Sequence, residues 1–258
     1  MSYPLINFPL RICTVNVNSW KAISGKKITY QDRLNGVADS LNQYASMHAI
    51  LLQEVFASKA DMLCKAFKDY DVFVPQGEFG PKTLLAVTLV KKSFYKSISM
   101  LPIDCKTPNR VNIIQVLPQN DQLLPFYLIN CYMVNQYGVS NKHYDRPVLA
   151  NNLWTKIFEF AVAHENDPVI IGGDTQEGST DKNIMKLKKE YKYLEPVTGL
   201  STCTNPRFGE NNRIDHILYS NSAKLGYGSR SLTVDNQLIS RKISDHLIII
   251  ANATPITE

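Results

Sequence analysis

The chain has 258 residues, 44% of them hydrophobic and 20% charged, a balance that excludes a disordered segment and leaves room for one large core. Lys and Arg exceed Asp and Glu by 28 − 23 = 5, which suits a polyanionic partner without requiring one. Five cysteines with no Cys-x-x-Cys pair indicate neither a disulfide framework nor a zinc site.

Residues 10–17 (LRICTVNV) alternate and are rich in β-formers, which predicts a strand. From Tyr30 to Met47 the pattern changes: Leu34, Val37, Ala38, Leu41 and Ala45 recur at helical spacing, an amphipathic helix. Residues 49–52 form a short apolar run that stops at Gln53-Glu54. Strand, helix, strand is the opening of a layered α/β fold. Strands are predicted next at 71–74, 83–90, 111–117 and 125–132, the last three close enough in succession to pair antiparallel. A helix follows over 147–163, with Leu149, Leu153, Ile157, Phe160 and Ala161 on one side. Residues 168–171 make a buried strand that ends in Gly172-Gly173-Asp174. A short helix over 181–190 and strands at 213–219 and 247–251 complete the pattern, which predicts sheets packed on each other and covered by helices. Composition shifts nowhere and no linker or repeat appears, so residues 1–258 read as a single domain. No signal peptide and no apolar run near the roughly 20 residues of a membrane helix is seen, so a cytoplasmic, reducing location is expected.

Strand after strand stops abruptly at carboxylates, amides or a histidine: VNVNSW, ILLQE, LINCYMVN, VIIGGD, RIDHIL, SDHLIII. Each has an ordinary explanation alone. Glu54 could be a solvated acid, Asp174 a cap for the next segment, and Asp245-His246 a turn into the last strand. Asp215 is harder to explain so, because it interrupts an apolar strand where an unpaired charge is costly. Taken together they point to one shared site at the strand ends.

In these segments the chain resembles the metal-dependent endonuclease/exonuclease/phosphatase superfamily, from Arg11 to Ala251, with LLQE, RIDHIL and SDH the most specific pieces and GGD in support. The resemblance implies a four-layered α/β sandwich of two mostly antiparallel sheets flanked by helices, and a Mg²⁺-dependent hydrolase of phosphate esters, with Mn²⁺ as a substitute. It implies Glu54 as a metal ligand through the hard oxygen that Mg²⁺ prefers, with Asn18 and Asp245 as further members of the metal site. Asn16 would bind the phosphate and Asp174 would orient or deprotonate the attacking water. His246 would contact phosphoryl oxygens, with Asp215 holding its imidazole. Arg213 is expected to be structural, and His48, His143, His164 and His216 to be surface or packing residues.

Two departures from the family pattern matter. Gly173-Asp174-Thr175-Gln176 carries a longer amide where the family has Asn; Gln176 can still donate to phosphate, with a shifted reach. After the long central strand, Asn130-Cys131-Tyr132-Met133-Val134-Asn135 is similar to the Tyr-x-Pro-Asn of abasic-site and retrotransposon endonucleases, with Val134 in place of proline. In that branch Tyr132 would hydrogen-bond the phosphate or leaving group, and Asn135 would support it. The expected substrate is therefore DNA or RNA, tracked by the basic residues Lys21, Lys26, Lys27, Arg241 and Lys242. A phosphatase or phosphodiesterase acting on phosphoinositides or phospholipid headgroups is the alternative, and an inactive binding module on the same fold, motivated by Gln176, is the third.

Overall fold

A computed structural model describes residues 10–17, 28–44, 47–121, 123–136, 145–195, 202, 213–220, 227–235, 238 and 243–255, the side chains of 227–235 and 253–255 excepted. Along the chain run β1 (Leu10–Asn16), α1 (Tyr30–Leu41), β2 (Ala49–Phe56), α2 (Asp61–Ala66), β3 (Tyr70–Phe73), β4 (Leu84–Lys91), β5 (Tyr95–Leu101), β6 (Val111–Pro118), β7 (Phe126–Tyr132), α3 (Arg146–Ala163), β8 (Val169–Asp174), α4 (Lys182–Lys189), β9 (Asp215–Tyr219), β10 (Tyr227–Asp235) and β11 (Ile248–Pro255). The strands form a six-stranded sheet of order β10-β11-β1-β2-β4-β3 and a five-stranded sheet of order β5-β6-β7-β8-β9. Each is antiparallel except at one inner pair, β1 with β2 and β7 with β8.

Period-2 alternation sorts the apolar side chains into three cores. Ile12, Leu51, Leu128, Ile170, Ile217 and Ile249 fill the space between the sheets. Cys13, Ile50 and Leu52 turn outward, where Leu34, Val37 and Leu41 of α1 and Leu63 of α2 cover them. On the other flank Ile129, Ile171 and Leu218 meet Leu153, Trp154 and Ile157 of α3 and Ile184 and Leu187 of α4. The result is the expected sandwich of helices, sheet, sheet, helices. Burying an aliphatic side chain of this size contributes about 2 kcal/mol.

Both long helices carry local start signals. Thr29 caps α1 by accepting from the Asp32 N–H at 3.1 Å, and Asp145 caps α3 by accepting from Val148 N–H at 3.3 Å, with Pro147 in the first turn. The helix predicted to run to Met47 ends instead at Leu41, closed by Asn42, whose N–H donates to the Ala38 carbonyl; Ala45 lies outside the described residues. The predicted antiparallel succession holds only for β6 and β7. The strand at 83–90 belongs to the other sheet, as β4 between β2 and β3, and the chain crosses over through β5, which pattern alone did not predict. No helix among the described residues is long and apolar enough to cross a membrane.

Candidate active site

Toward one rim of the sandwich the side chains that point between the sheets change from apolar to polar. Alternation from Ile12 gives Thr14 and Asn16; from Leu128 it gives Asn130 and Tyr132; from Ile170, Gly172 and Asp174; and Asp215 precedes Ile217. All lie at the C-terminal ends of the parallel pairs β1–β2 and β7–β8, or directly across from them. Asp174 and Asp215 are register partners in the β8–β9 ladder, as are Tyr132 and Asp174 in β7–β8.

Glu54 reaches this face by a different route. Strict alternation would turn it outward with Ile50 and Leu52. The β2–β4 register shifts between Leu52 and Val55, and Glu54 takes φ 60°, a left-handed conformation costing on the order of 1–3 kcal/mol for a residue with a side chain. That bulge re-aims the carboxylate. Its Oε1 accepts from Asn16 Nδ2 at 3.1 Å and from the Tyr132 hydroxyl at 3.3 Å. The same Asn16 amide donates to Asp174 Oδ2 at 2.9 Å, so one side chain joins carboxylates of both sheets.

Asp174 is fully buried. Gln176, in the left-handed conformation at φ 55°, curls back on it. Its backbone N–H donates to Oδ1 at 3.1 Å, and its side-chain amide lies 2.8 and 2.7 Å from Oδ1 and Oδ2. Burial, with the charges of Asp215 and Glu54, pushes the Asp174 carboxyl up to about 7, against the pull of His246 and of the Asn16 hydrogen bond. Gly173 allows the close approach of β8 to β7: at φ 140°, an added Cβ would stand 1.9 Å from the Cys131 carbonyl oxygen.

Asp215 and His246 form a buried pair, with Nδ1 at 3.1 and 2.9 Å from the two carboxylate oxygens. This bond fixes the ring and leaves Nε2 facing Asp245 Oδ1 at 3.9 Å. Ser244 and Thr202, neither of them singled out from the sequence, lock this corner. The Ser244 hydroxyl donates to the Asn16 carbonyl at 2.7 Å and accepts from His246 N–H at 3.1 Å. The Thr202 hydroxyl accepts from the N–H groups of Ile214 and Asp215, both at 3.1 Å. Arg33 of α1, buried and donating to the Ile243 carbonyl, feels the charges of both Asp245 and Glu54 while burial lowers its own basicity.

Two further groups escaped the sequence reading. Gln53 and Asn130 bridge the sheets below the site: Gln53 Nε2 donates to Asn130 Oδ1 at 2.8 Å, and Asn130 Nδ2 donates to the Leu52 and Val87 carbonyls at 3.1 and 2.8 Å. Arg110 stacks its guanidinium 4.2 Å above the Tyr132 ring. Burial pushes the Tyr132 phenol well above its ordinary value, with Glu54 adding and Arg110 opposing.

Of the residues named from sequence, Asn16, Glu54, Tyr132, Asp174, Gln176, Asp215 and His246 thus converge, with Asp245 beside His246. Asn135 lies three residues beyond Tyr132, its carbonyl accepting from Arg146 at 3.4 Å. Asn18 and the basic residues Lys21, Lys26, Lys27, Arg241 and Lys242 lie outside the described residues, as does His143. His48 and His164 are packing residues: His48 Nδ1 accepts from Arg11 N–H at 2.9 Å, and His164 pairs with Asp167 at 2.8 Å. Asp174, Asp215 and His246 form a group, with ligand atoms all within 4.8 Å of one another, that could hold a metal ion. Glu54 and Asp245 add hard oxygen donors beside it. So many carboxylates in so little water carry an excess of negative charge that a divalent cation would offset, and the donor set fits such an ion.

The architecture is that of the endonuclease/exonuclease/phosphatase proteins. The chain aligns with an endonuclease/exonuclease/phosphatase from Bacteroides vulgatus at TM-score 0.68 and 14% identity, over 97% of this chain and 100% of that one. It aligns with truncated TDP2 of Caenorhabditis elegans at TM-score 0.66 and 15% identity, over 97% and 99%. With the endonuclease domain of TRAS1, a telomere-specific non-LTR retrotransposon, the values are 0.60 and 15%, over 95% and 98%. No family model and no curated protein matches the sequence.

Proposed function

We propose that the chain is a Mg²⁺-dependent phosphodiesterase acting on DNA or RNA by attack of water. The observation that carries this reading is the Asn16 amide, which ties Glu54 of one sheet to Asp174 of the other. A carboxylate suited to a hard cation and a carboxylate suited to water thereby share one cleft. Asp174 accepts a proton from the attacking water, and its raised proton affinity matches the requirement of a general base working near neutral pH. Asn16 and the curled-back Gln176 fix the direction in which its oxygens point. Asp215 holds the Nδ1 proton of His246, so that Nε2 is directed at a phosphoryl oxygen. Tyr132, kept protonated by burial, donates its hydroxyl proton to the phosphate or the departing oxygen, and Asn135 supports that segment.

Glu54 and Asp245, with Asn18, would hold Mg²⁺ or Mn²⁺; the chemistry gained there is neutralisation of charge on the phosphoryl and leaving oxygens. The fold shared with the TRAS1 endonuclease domain and with TDP2 supports this reading, and the surplus of basic residues supports a nucleic-acid substrate over a small headgroup. A cleavage panel of plasmid, abasic duplex, RNA, phosphoinositides and sphingomyelin, run with Mg²⁺ and with excess EDTA, tests it. Cleavage of a nucleic acid that EDTA abolishes is the expected result. Turnover of a phosphoinositide alone would replace the substrate assignment, and full activity in excess chelator would end the metal assignment.

A further inference from the structure

Behind the site, on the face of β9 opposite Asp215, His216 is wholly buried. Its Nε2 donates to the Glu177 carbonyl at 2.8 Å, and its Nδ1 donates to the Glu195 carboxylate. The Glu195 side chain, 2% exposed, also takes Arg213 Nη2 at 2.9 Å and Lys188 Nζ at 2.5 Å. Burial works to raise this carboxyl, but His216, Arg213 and Lys188 outweigh it and hold Glu195 at about 2.

The Glu177 carbonyl belongs to the turn that carries Asp174 and Gln176. That turn is gripped on both sides of Gln176. Before it, the Thr175 N–H donates to the Ile214 carbonyl at 2.8 Å, and its hydroxyl lies 2.9 Å from that carbonyl and 3.0 Å from the Glu177 carbonyl. After it, the Glu177 carboxylate accepts from Asn183 N–H at 3.1 Å and from its side-chain amide at 2.6 Å. Between these points Gln176 holds φ 55°, a conformation that persists only where the surroundings enforce it. Gln176 in turn supplies two of the groups that hold the Asp174 carboxylate, beside the Asn16 amide.

We infer that His216, anchored by Glu195, is a positioning residue for Asp174: its bond to the Glu177 carbonyl enforces the left-handed Gln176 and thereby the aim of the carboxylate. The kinetic consequence rests on the hydrolase reading above; the geometric one does not. Two substitutions separate the two bonds of the ring. In His216→Asn the amide nitrogen stands where Nδ1 stood, which keeps the Glu195 contact and loses the carbonyl. In His216→Gln it reaches the Nε2 position and keeps the carbonyl.

The expected result at saturating substrate is a fall in kcat of roughly 30-fold for His216→Asn with KM within about 3-fold, and recovery to within about 5-fold of wild type in His216→Gln, since small misplacements of a reacting group carry penalties of this order. The Gln176 backbone N–H, read by hydrogen exchange in NMR, reports the turn without any turnover. It should exchange at least about 10-fold faster in His216→Asn alone. Equal losses in the two variants, or unchanged Gln176 exchange in His216→Asn, would overturn the inference. If the wild-type protein cleaves no phosphate ester, the hydrolase reading fails and the exchange result alone decides. Should neither His216 variant fold, Glu195→Gln, which weakens the anchor by replacing the charged acceptor of Nδ1 with a neutral one, must raise Gln176 exchange by at least about 3-fold, and unchanged exchange there overturns the inference too.

Discussion

Replacing Asp174 with Asn removes a carboxyl that titrates at about 7 in the folded chain and near ~3.9 in an unstructured one. Between those values the folded state holds more protons than the unfolded state, so stability falls as pH rises. The favourable side is the acid side, because burial and the nearby Asp215 and Glu54 penalise the charged form. Between pH 5 and 7 the unfolded carboxyl is already ionised while the folded one is still losing its proton. The loss approaches ~1.4 kcal/mol per pH unit near pH 5 and falls to about half that at pH 7, about 2.3 kcal/mol across the window. Asn at this position does not titrate. It gives up one hydrogen-bond acceptor to Asn16 and Gln176, a cost that does not depend on pH and leaves the slope untouched. Urea unfolding in excess chelator at pH 5, 6, 7 and 8, followed by circular dichroism, measures both proteins. The wild type should lose about 2.3 kcal/mol relative to Asp174→Asn as pH rises from 5 to 7. A difference between the two that stays within about 0.5 kcal/mol over the whole range would refute the claim that this carboxylate is held against its own charge.

Turnover should fall at least ~100-fold in Asp174→Asn and in His246→Ala, the lower range for a positioned proton-transfer group, and a folded variant with near-normal kcat would remove that residue from the mechanism. Gly173→Ala should destabilise the protein by at least about 3 kcal/mol by its urea midpoint, because the added Cβ meets the Cys131 carbonyl oxygen at 1.9 Å; a loss under about 1 kcal/mol would mean that β7 and β8 can part freely. Affinity for a short duplex, measured with Ca²⁺ or with Asp174→Asn, should fall log-linearly with salt, and each charge removed at Lys26, Lys27 or Lys242 should lower the slope by about one. A flat salt dependence would argue for a small headgroup instead.

Most strands were legible because alternation and abrupt polar endings are both local signals. β10 was not predicted, and neither was β5: Lys96, Ser97 and Ser99 break the apolar pattern of an edge strand with one side in solvent. Missing it made β4 and β6 look like neighbours when they lie in different sheets. Among the site residues, Asn16, Tyr132 and Asp174 follow from alternation once the inner face is known. Glu54 does not, since its inward aim depends on a bulge that no spacing announces. Motif resemblance found it where periodicity would have turned it away. Thr202 and Asn130 were invisible for another reason. A buried hydroxyl or amide declares its role only through partners that are distant in sequence, such as Val87 for Asn130. His216 was expected to be a surface or packing residue, and nothing local showed that Glu195 and the Glu177 carbonyl would meet it.

The division of the site between two sheets has a consequence for how the chain comes to life. Asn16 and Asp174, bonded to each other, are 158 positions apart, and the Ser244 bond to the Asn16 carbonyl spans 228. The strand that follows His246 slots between β1 and β10, so the earliest strand waits for the latest before the cluster closes. Contacts of such long range form slowly, after the loop entropy of nearly the whole chain has been overcome. A nascent or cleaved polypeptide that stops before residue 243 holds Glu54 and Asp174 but neither His246 nor the strand that joins β10 to β1 in the larger sheet. On the hydrolase reading proposed above, the full cluster is therefore assembled only with the final pairing, and an unfinished chain would be inactive.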